Sequence, residues 1–173
     1  MRNPVVRDRP PRRGPRDPAD PEAVRESALR LLERTRRTRS ELTRKLREKG
    51  FAPALIAEVL DRLAGVGLVD DVEYARAFLA ARLGRRTAGW RRLEMELRRR
   101  GVSAPDAAAA RARLAEQQGD ADEVALARRV LRQVEARYAR LEPRVRRQRL
   151  YALLMRRGFD GETIERAFRE EDR

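Results

Sequence analysis

The chain has 173 residues, 42 Lys+Arg against 28 Asp+Glu for a formal net charge of +14, and neither Cys nor His. Those two absences exclude disulfides, thiol chemistry, haem ligation, zinc held by Cys or His, and every catalytic set that needs an imidazole. Aromatic residues are only 5% of the chain, too few for one thick core, and no apolar run approaches the ~18 residues of a membrane span. With no hydrophobic signal core at the N-terminus, the composition is that of a soluble, cytosolic chain built to meet something acidic. All but Lys45 and Lys49 of the basic residues are Arg. Many of these Arg serve solvated helix faces and i,i+4 pairs with Glu, each contributing only a few tenths of a kcal/mol.

Residues 1–21 hold Pro4, Pro10, Pro11, Pro15, Pro18 and Pro21. Proline lacks the backbone donor that helices and sheets require, so this Pro/Arg-rich segment is expected to be a disordered tail. It carries Asp8, Asp17 and Asp20 beside its Arg residues, so a basic arm and a solvated leader without a binding role both fit it.

From residue 22 onward Ala, Leu, Arg and Glu dominate, with apolar residues at three- and four-residue spacing and no period-2 alternation. The expected fold class is all-α. Three segments repeat: Leu42-x3-Leu46-x2-Lys49-Gly50-Phe51, Leu93-x3-Leu97-x2-Arg100-Gly101-Val102 and Leu150-x3-Leu154-x2-Arg157-Gly158-Phe159. Two leucines one turn apart give an apolar stripe, and a cation near the helix end suits the dipole. Glycine then takes the left-handed conformation that ends the helix, and Phe or Val folds back on the last turn. Six residues after each glycine stand Ile56, Ala107 and Ile164; ten after stand Leu60, Arg111 and Phe168. Arg111 breaks that apolar pattern, and Leu114 restores it one turn later. Pro53 and Pro105 suit helix starts, and Ser103-x-x-Asp106 reads as a capping box.

Another amphipathic helix precedes each Leu-x3-Leu helix, over residues 22–34, 71–83 and 120–138. The unit is therefore three helices, repeated over residues 22–66, 67–116 and 117–173. Each alone has a marginal core, so the expectation is an elongated curved array of stacked repeats. Net charge is spread as +3 on the tail and +4, +4 and +3 on the repeats.

Basic residues gather between the first and second helices of each repeat: Arg34, Arg36, Arg37 and Arg39; Arg85, Arg86, Arg91 and Arg92; Arg140, Arg144, Arg146 and Arg147. Stacked in similar orientation, these clusters form an interrupted basic track, the pattern of a protein that follows a phosphate backbone. The plainer account is that charges collect at loops and helix ends.

The middle repeat carries Gly67-Leu68-Val69-Asp70-Asp71-x2-Tyr74-Ala75-x2-Phe78-x3-Arg82 and then Gly89-Trp90-Arg91-Arg92-Leu93. The adjacent carboxylates suit helix capping better than metal binding, and Tyr74 and Phe78 belong most simply to the core. Trp90 stands where the flanking repeats have Arg39 and Arg147, among cations, as a base-stacking residue or partner contact would. It also shares a helical face with Leu93 and Leu97, which favours a core role. Asp120, Asp122 and Glu123 open a helix, where acidic groups favour the dipole. Gly65-Val66-Gly67 lacks the preceding strand of a phosphate-binding glycine loop. No catalytic set or cofactor site emerges, so the chain reads as non-enzymatic.

Taken together, the residues from about Ala28 to Phe168 resemble the RecX family of bacterial recombinase regulators. The resemblance rests on the Gly67-to-Arg82 pattern, on Gly89-x2-Arg92-Leu93-x2-Glu96-Leu97-x2-Arg100-Gly101-Val102, and on Arg157-Gly158-Phe159. It implies three helix-turn-helix-like repeats that lie in the groove of the RecA filament and inhibit its ATPase and strand exchange. The roles implied are in recombinational DNA repair and the SOS response, with DNA binding also associated with the family. The expected partners are RecA and DNA phosphate, met by a cytoplasmic monomer through Arg34, Arg36, Arg37, Arg39, Arg82, Arg85, Arg86, Arg91, Arg92, Arg144, Arg146 and Arg147, with Trp90 as a further contact. The alternatives are a sequence-specific helix-turn-helix protein and a non-specific DNA-binding protein acting without a recombinase. Specific base readout is disfavoured, because the only Asn is Asn3 and the four Gln do not recur at equivalent positions.

Overall fold

The computed structural model describes residues 20–83, 88–118 and 122–171. The tail up to residue 19, Arg85, Arg86 and Asp120 lie outside the described residues. Among the described residues there are nine α-helices and no strand: α1 (Pro21–Arg34), α2 (Arg39–Arg47), α3 (Pro53–Gly65), α4 (Asp71–Leu83), α5 (Trp90–Arg99), α6 (Ala104–Gln118), α7 (Glu123–Tyr138), α8 (Pro143–Arg156) and α9 (Gly161–Glu171). They form three three-helix repeats. None of these helices is long and apolar enough to cross a membrane.

Side-chain caps account for most of the helix starts. Asp20 accepts from the Glu22 amide at 2.9 Å and Pro21 is the first residue of α1, so these two residues, grouped by composition with the tail, instead open the first helix. The fully buried Thr38 accepts from the Glu41 amide at 3.1 Å. Asp70 accepts from the Glu73 amide at 2.8 Å, so it is the capping member of the Asp70-Asp71 pair. Ser103 Oγ accepts from the Asp106 amide at 3.2 Å and donates to its carboxylate at 2.6 Å. Asp122 caps α7, Glu142 caps α8 and Asp160 caps α9 by the same chemistry.

The Leu-x3-Leu helices end alike. Gly50, Gly101 and Gly158 have φ of 91°, 83° and 89°. The next amide donates back to the second leucine's carbonyl: Phe51 to Leu46 at 3.3 Å, Val102 to Leu97 at 3.1 Å, Phe159 to Leu154 at 3.2 Å. That turn throws Phe51, Val102 and Phe159 inward, and all three are buried. Each anchors its own core, with Leu42, Leu46, Ile56 and Leu60 in repeat one, Leu93, Leu97, Ala107 and Leu114 in repeat two, and Leu150, Leu154, Ile164 and Phe168 in repeat three.

The described residues divide into two compact units, one up to Val69 that holds repeat one and one from Asp70 onward that holds repeats two and three. Within the second unit, the start of α5 is seated on the end of α8. Gly89 offers no side chain to cap α5. Its amide donates instead to the Arg157 carbonyl at 2.9 Å, and the Arg91 amide to the Gly158 carbonyl at 3.2 Å. The Trp90 amide donates to the carboxylate of Glu123, at the start of α7. Orphan donors of one repeat are thus satisfied by acceptors of the next.

Only glycine permits this approach. A Cβ on Gly89 would lie 2.4 Å from the Gly158 oxygen, and one on Gly158 would lie 2.5 Å from the Arg92 Cβ. Gly50, with the same left-handed turn, faces open space. The three glycines therefore separate two costs. Gly50→Ala carries only left-handed strain, about 1–2 kcal/mol. Gly89→Ala, at φ −72°, carries no such strain, but overpacks the junction by roughly 1–3 kcal/mol. Gly158→Ala carries both and should lower stability most in urea unfolding. Equal losses at Gly50 and Gly158, with Gly89→Ala neutral, would contradict the junction.

Candidate nucleic-acid and partner interface

The basic clusters divide once their partners are seen. In the first, Arg34 and Arg36 are exposed. Arg37 donates from Nε to the Leu31 carbonyl at 3.2 Å, closing the end of α1. Arg39 pairs with Asp61 at 2.8 Å and reaches the Ala57 carbonyl at 3.4 Å, tying α2 to α3. In the third, Arg144 is exposed, Arg146 lies 3.9 Å from Glu135, and Arg147 pairs with Glu165 at 2.8 Å. Arg91 and Arg92 are exposed on α5, with Arg92 3.5 Å from Glu96. Among the described residues of these clusters, Arg34, Arg91, Arg140 and Arg144 are thus exposed without an ion pair.

Arg82 belongs to a different arrangement. Its guanidinium lies 3.5 Å from the centroid of the Phe78 ring, and its Nε is 3.6 Å from Glu96. Arg100 approaches the same ring at 5.4 Å and donates to Tyr74 Oη at 2.9 Å. The motif residues Tyr74, Phe78, Arg82, Glu96 and Arg100 therefore meet in one partly buried cluster that ties α4 to α5. Cation–π stacking in such a setting contributes about 0.5–2 kcal/mol, a structural role for Arg82 that competes with contact to a polyanion.

Trp90 and Arg111 are the two departures from the repeat pattern, and they answer each other. In repeat three, Arg147 stands eleven residues before the terminal glycine and Phe168 ten after it; the guanidinium lies 4.5 Å from the ring centroid. In repeat two those positions are Trp90 and Arg111, and the Arg111 guanidinium lies 4.8 Å from the Trp90 ring. The same contact is built with its partners exchanged between helices. Trp90 is half-buried and packs against the core of its own repeat. That agrees with the face it shares with Leu93 and Leu97.

The exchange also places a cation at the junction. The Thr163 amide and hydroxyl, hydrogen-bonded to Asp160, are the main cause holding its carboxyl below the usual range, and Arg91 and Arg111 add to the effect. Beside the junction, Arg91, Glu94, Met95 and Arg98 line an open groove with Val102 and Ala107. Met95 is 52% exposed there. Sequence reading passed over Met95 and Arg98; the one available signal was their spacing from Arg91 along a single helical face.

The exchanged pair predicts a double-mutant cycle. Trp90→Ala and Arg111→Ala should each destabilise the second unit and couple by about 0.5–2 kcal/mol in urea unfolding. Trp90→Arg combined with Arg111→Phe should recover much of the loss caused by either alone. Strict additivity would sink the exchange.

Family models described as the first, second and third three-helix domains of RecX match residues 25–63, 70–110 and 121–168. The chain is 39% identical over 148 residues to "Regulatory protein RecX" of Thermobifida fusca, covering 86% of this chain and 78% of that one. It is 41% identical over 104 residues to the protein of the same name from Mycobacteroides abscessus, covering 60% of this chain and 50% of that one. The crystal structure of RecX from Lactobacillus salivarius superimposes with a TM-score of 0.78 at 21% identity, over 88% of this chain and 96% of that one, and so shares the fold. With all three domains matched in order, and this identity over most of both chains, the protein belongs to the RecX family.

Proposed function

We propose that the chain is a non-enzymatic regulator that binds RecA recombinase filaments on DNA and inhibits their ATPase and strand-exchange activity. Such action would modulate recombinational repair and the SOS response. The observation that carries this reading is the match of all three RecX domains, in order, to a chain of net charge +14. Its relatives are named regulatory proteins. The exposed cations Arg34, Arg91 and Arg144 are the contacts to DNA phosphate or to acidic recombinase surface. Arg36, Arg37, Arg39, Arg82, Arg92, Arg146 and Arg147 act in the same basic track where a polyanion displaces their internal partners, and Arg85, Arg86 and Trp90 complete it. Separate weak contacts from several repeats sum to tight binding without a deep pocket, since each later contact forms at high effective concentration. The working form is a cytoplasmic monomer.

The test is the DNA-dependent ATPase rate of RecA on single-stranded DNA, titrated with this protein at two salt concentrations, with DNA in excess so that template sequestration cannot imitate inhibition. Inhibition below one protein per recombinase is the expected result, weakening as salt screens the Arg contacts. Arg34→Glu combined with Arg144→Glu should raise the half-inhibiting concentration roughly tenfold, a loss of about 1.4 kcal/mol, with helicity unchanged. DNA binding without inhibition would overturn the regulator and leave a non-specific DNA-binding protein.

A further inference from the structure

Lys45 and Lys49 are the only lysines among 42 Lys+Arg, and the fold brings both to one face of repeat one. Lys45 lies in the last turn of α2 and Lys49 in the turn that ends it. Lys49 Nζ donates to Ser27 Oγ at 2.6 Å, and Ser27 is only 8% exposed on the inner side of α1. That bond draws the amine across α1, where Arg30 and Arg34 follow Ser27 at helical spacing. Arg30 is held by Glu26 at 3.0 Å, and Glu48 is engaged by Arg44 at 2.9 Å. Among the described residues no carboxylate pairs with Arg34, Lys45 or Lys49. The Lys49 amine therefore sits part-covered within a group of cations that has a surplus of positive charge.

Two consequences follow for its chemistry. Burial against α1, with the charges of Arg30, Arg34 and Lys45, lowers the Lys49 pKa from the ordinary lysine value, which raises its neutral, nucleophilic fraction near neutral pH. Arg34 and Lys45, with no carboxylate partner among the described residues, and Arg30 near them leave positive charge around that amine that suits a small anion. Arginine at position 49 could offer the charge but not the nucleophile, because its guanidinium does not deprotonate in proteins.

We propose that Lys49 is an acylation site whose donors are small acyl phosphates, seated by Arg30 and Arg34. The neutral Nζ attacks the acyl carbon and a C–N bond forms. The C–O bond to phosphate breaks, and inorganic phosphate leaves with that electron pair, its charge held by the two guanidiniums. The surplus proton on nitrogen passes to water, and nothing is oxidised or reduced. The amide product keeps one N–H for Ser27 Oγ, so the contact between α1 and the end of α2 survives. What changes is the charge: the modification removes one cation from this face.

Lys45 supplies the control within the same molecule. The full-length protein is incubated with acetyl phosphate at pH 7.5, and acetylation at positions 45 and 49 is followed by peptide mass spectrometry over time. Lys49 should acetylate several-fold faster than Lys45. Arg30→Gln with Arg34→Gln should bring the Lys49 rate down towards that of Lys45, because the variant removes both the seat and the charges that lower the pKa. A rate at Lys49 no greater than that at Lys45 in the native chain would overturn the proposal. So would an Arg30/Arg34 variant that folds normally and acetylates Lys49 as fast as before.

Discussion

The structure depends on a helix end that only glycine can make. In each repeat a short leucine-striped helix must stop and reverse within about one turn, so that a Phe or Val can enter the core beneath it. The left-handed residue at Gly50, Gly101 and Gly158 achieves this, and the bond from the following amide to the second leucine locks it. Small three-helix units have little apolar area to spare. Losing the anchored side chain would cost about 2–5 kcal/mol, a large share of such a unit's stability. The chain repeats this one device three times. In the third repeat it adds a second use, because the bare face of the Gly158 turn is also the surface on which Gly89 and α5 rest.

That double use explains why the second unit contains two cores. The amides of Gly89, Trp90 and Arg91 have no cap of their own and find acceptors on Arg157, Glu123 and Gly158. Backbone donors buried without partners are costly, so the start of α5 and the end of α8 are each more stable together than apart. Asp160 and the Arg111–Trp90 pair lie beside the same contact. The resulting geometry fixes how the cations of repeat two and of repeat three present themselves within this unit. Other basic side chains make local ties such as Arg39–Asp61 and Arg128–Glu171, which bind helices into repeats. Among the described residues of the three basic clusters, Arg34, Arg91 and Arg144 stay exposed without an ion pair.

What could be read from the sequence was local. Leucine spacing, a cation before glycine, and an apolar residue after it are all decided within one or two turns, and all three helix ends followed from them. Ser103 announced its cap for the same reason, and the Asp70-Asp71 pair announced a cap without saying which of the two would make it. The junction could not be read, because Gly89 and Gly158 lie far apart in the chain and nothing around Gly89 marks it as more than a small residue before a helix. Trp90 and Arg111 each looked like a lapse in the pattern; only their contact shows one interaction with its two sides exchanged. The ring contacts of Arg82 and Arg147 were equally hidden, since a guanidinium stacked on Phe78 or Phe168 and one without a ring beneath it have the same letter in the sequence. Lys49 was conspicuous only by its rarity.

The most direct measurement of the account is native-state hydrogen exchange at single amides of the second unit. If the glycine junction binds repeats two and three into one body, the Gly89 and Arg91 amides open only when a core opens. Their protection should then match that of Phe159 and Leu97. Gly89 and Arg91 exchanging close to the rate of unstructured chain, while Phe159 and Leu97 stay protected, would contradict it and leave the two repeats as separate bodies.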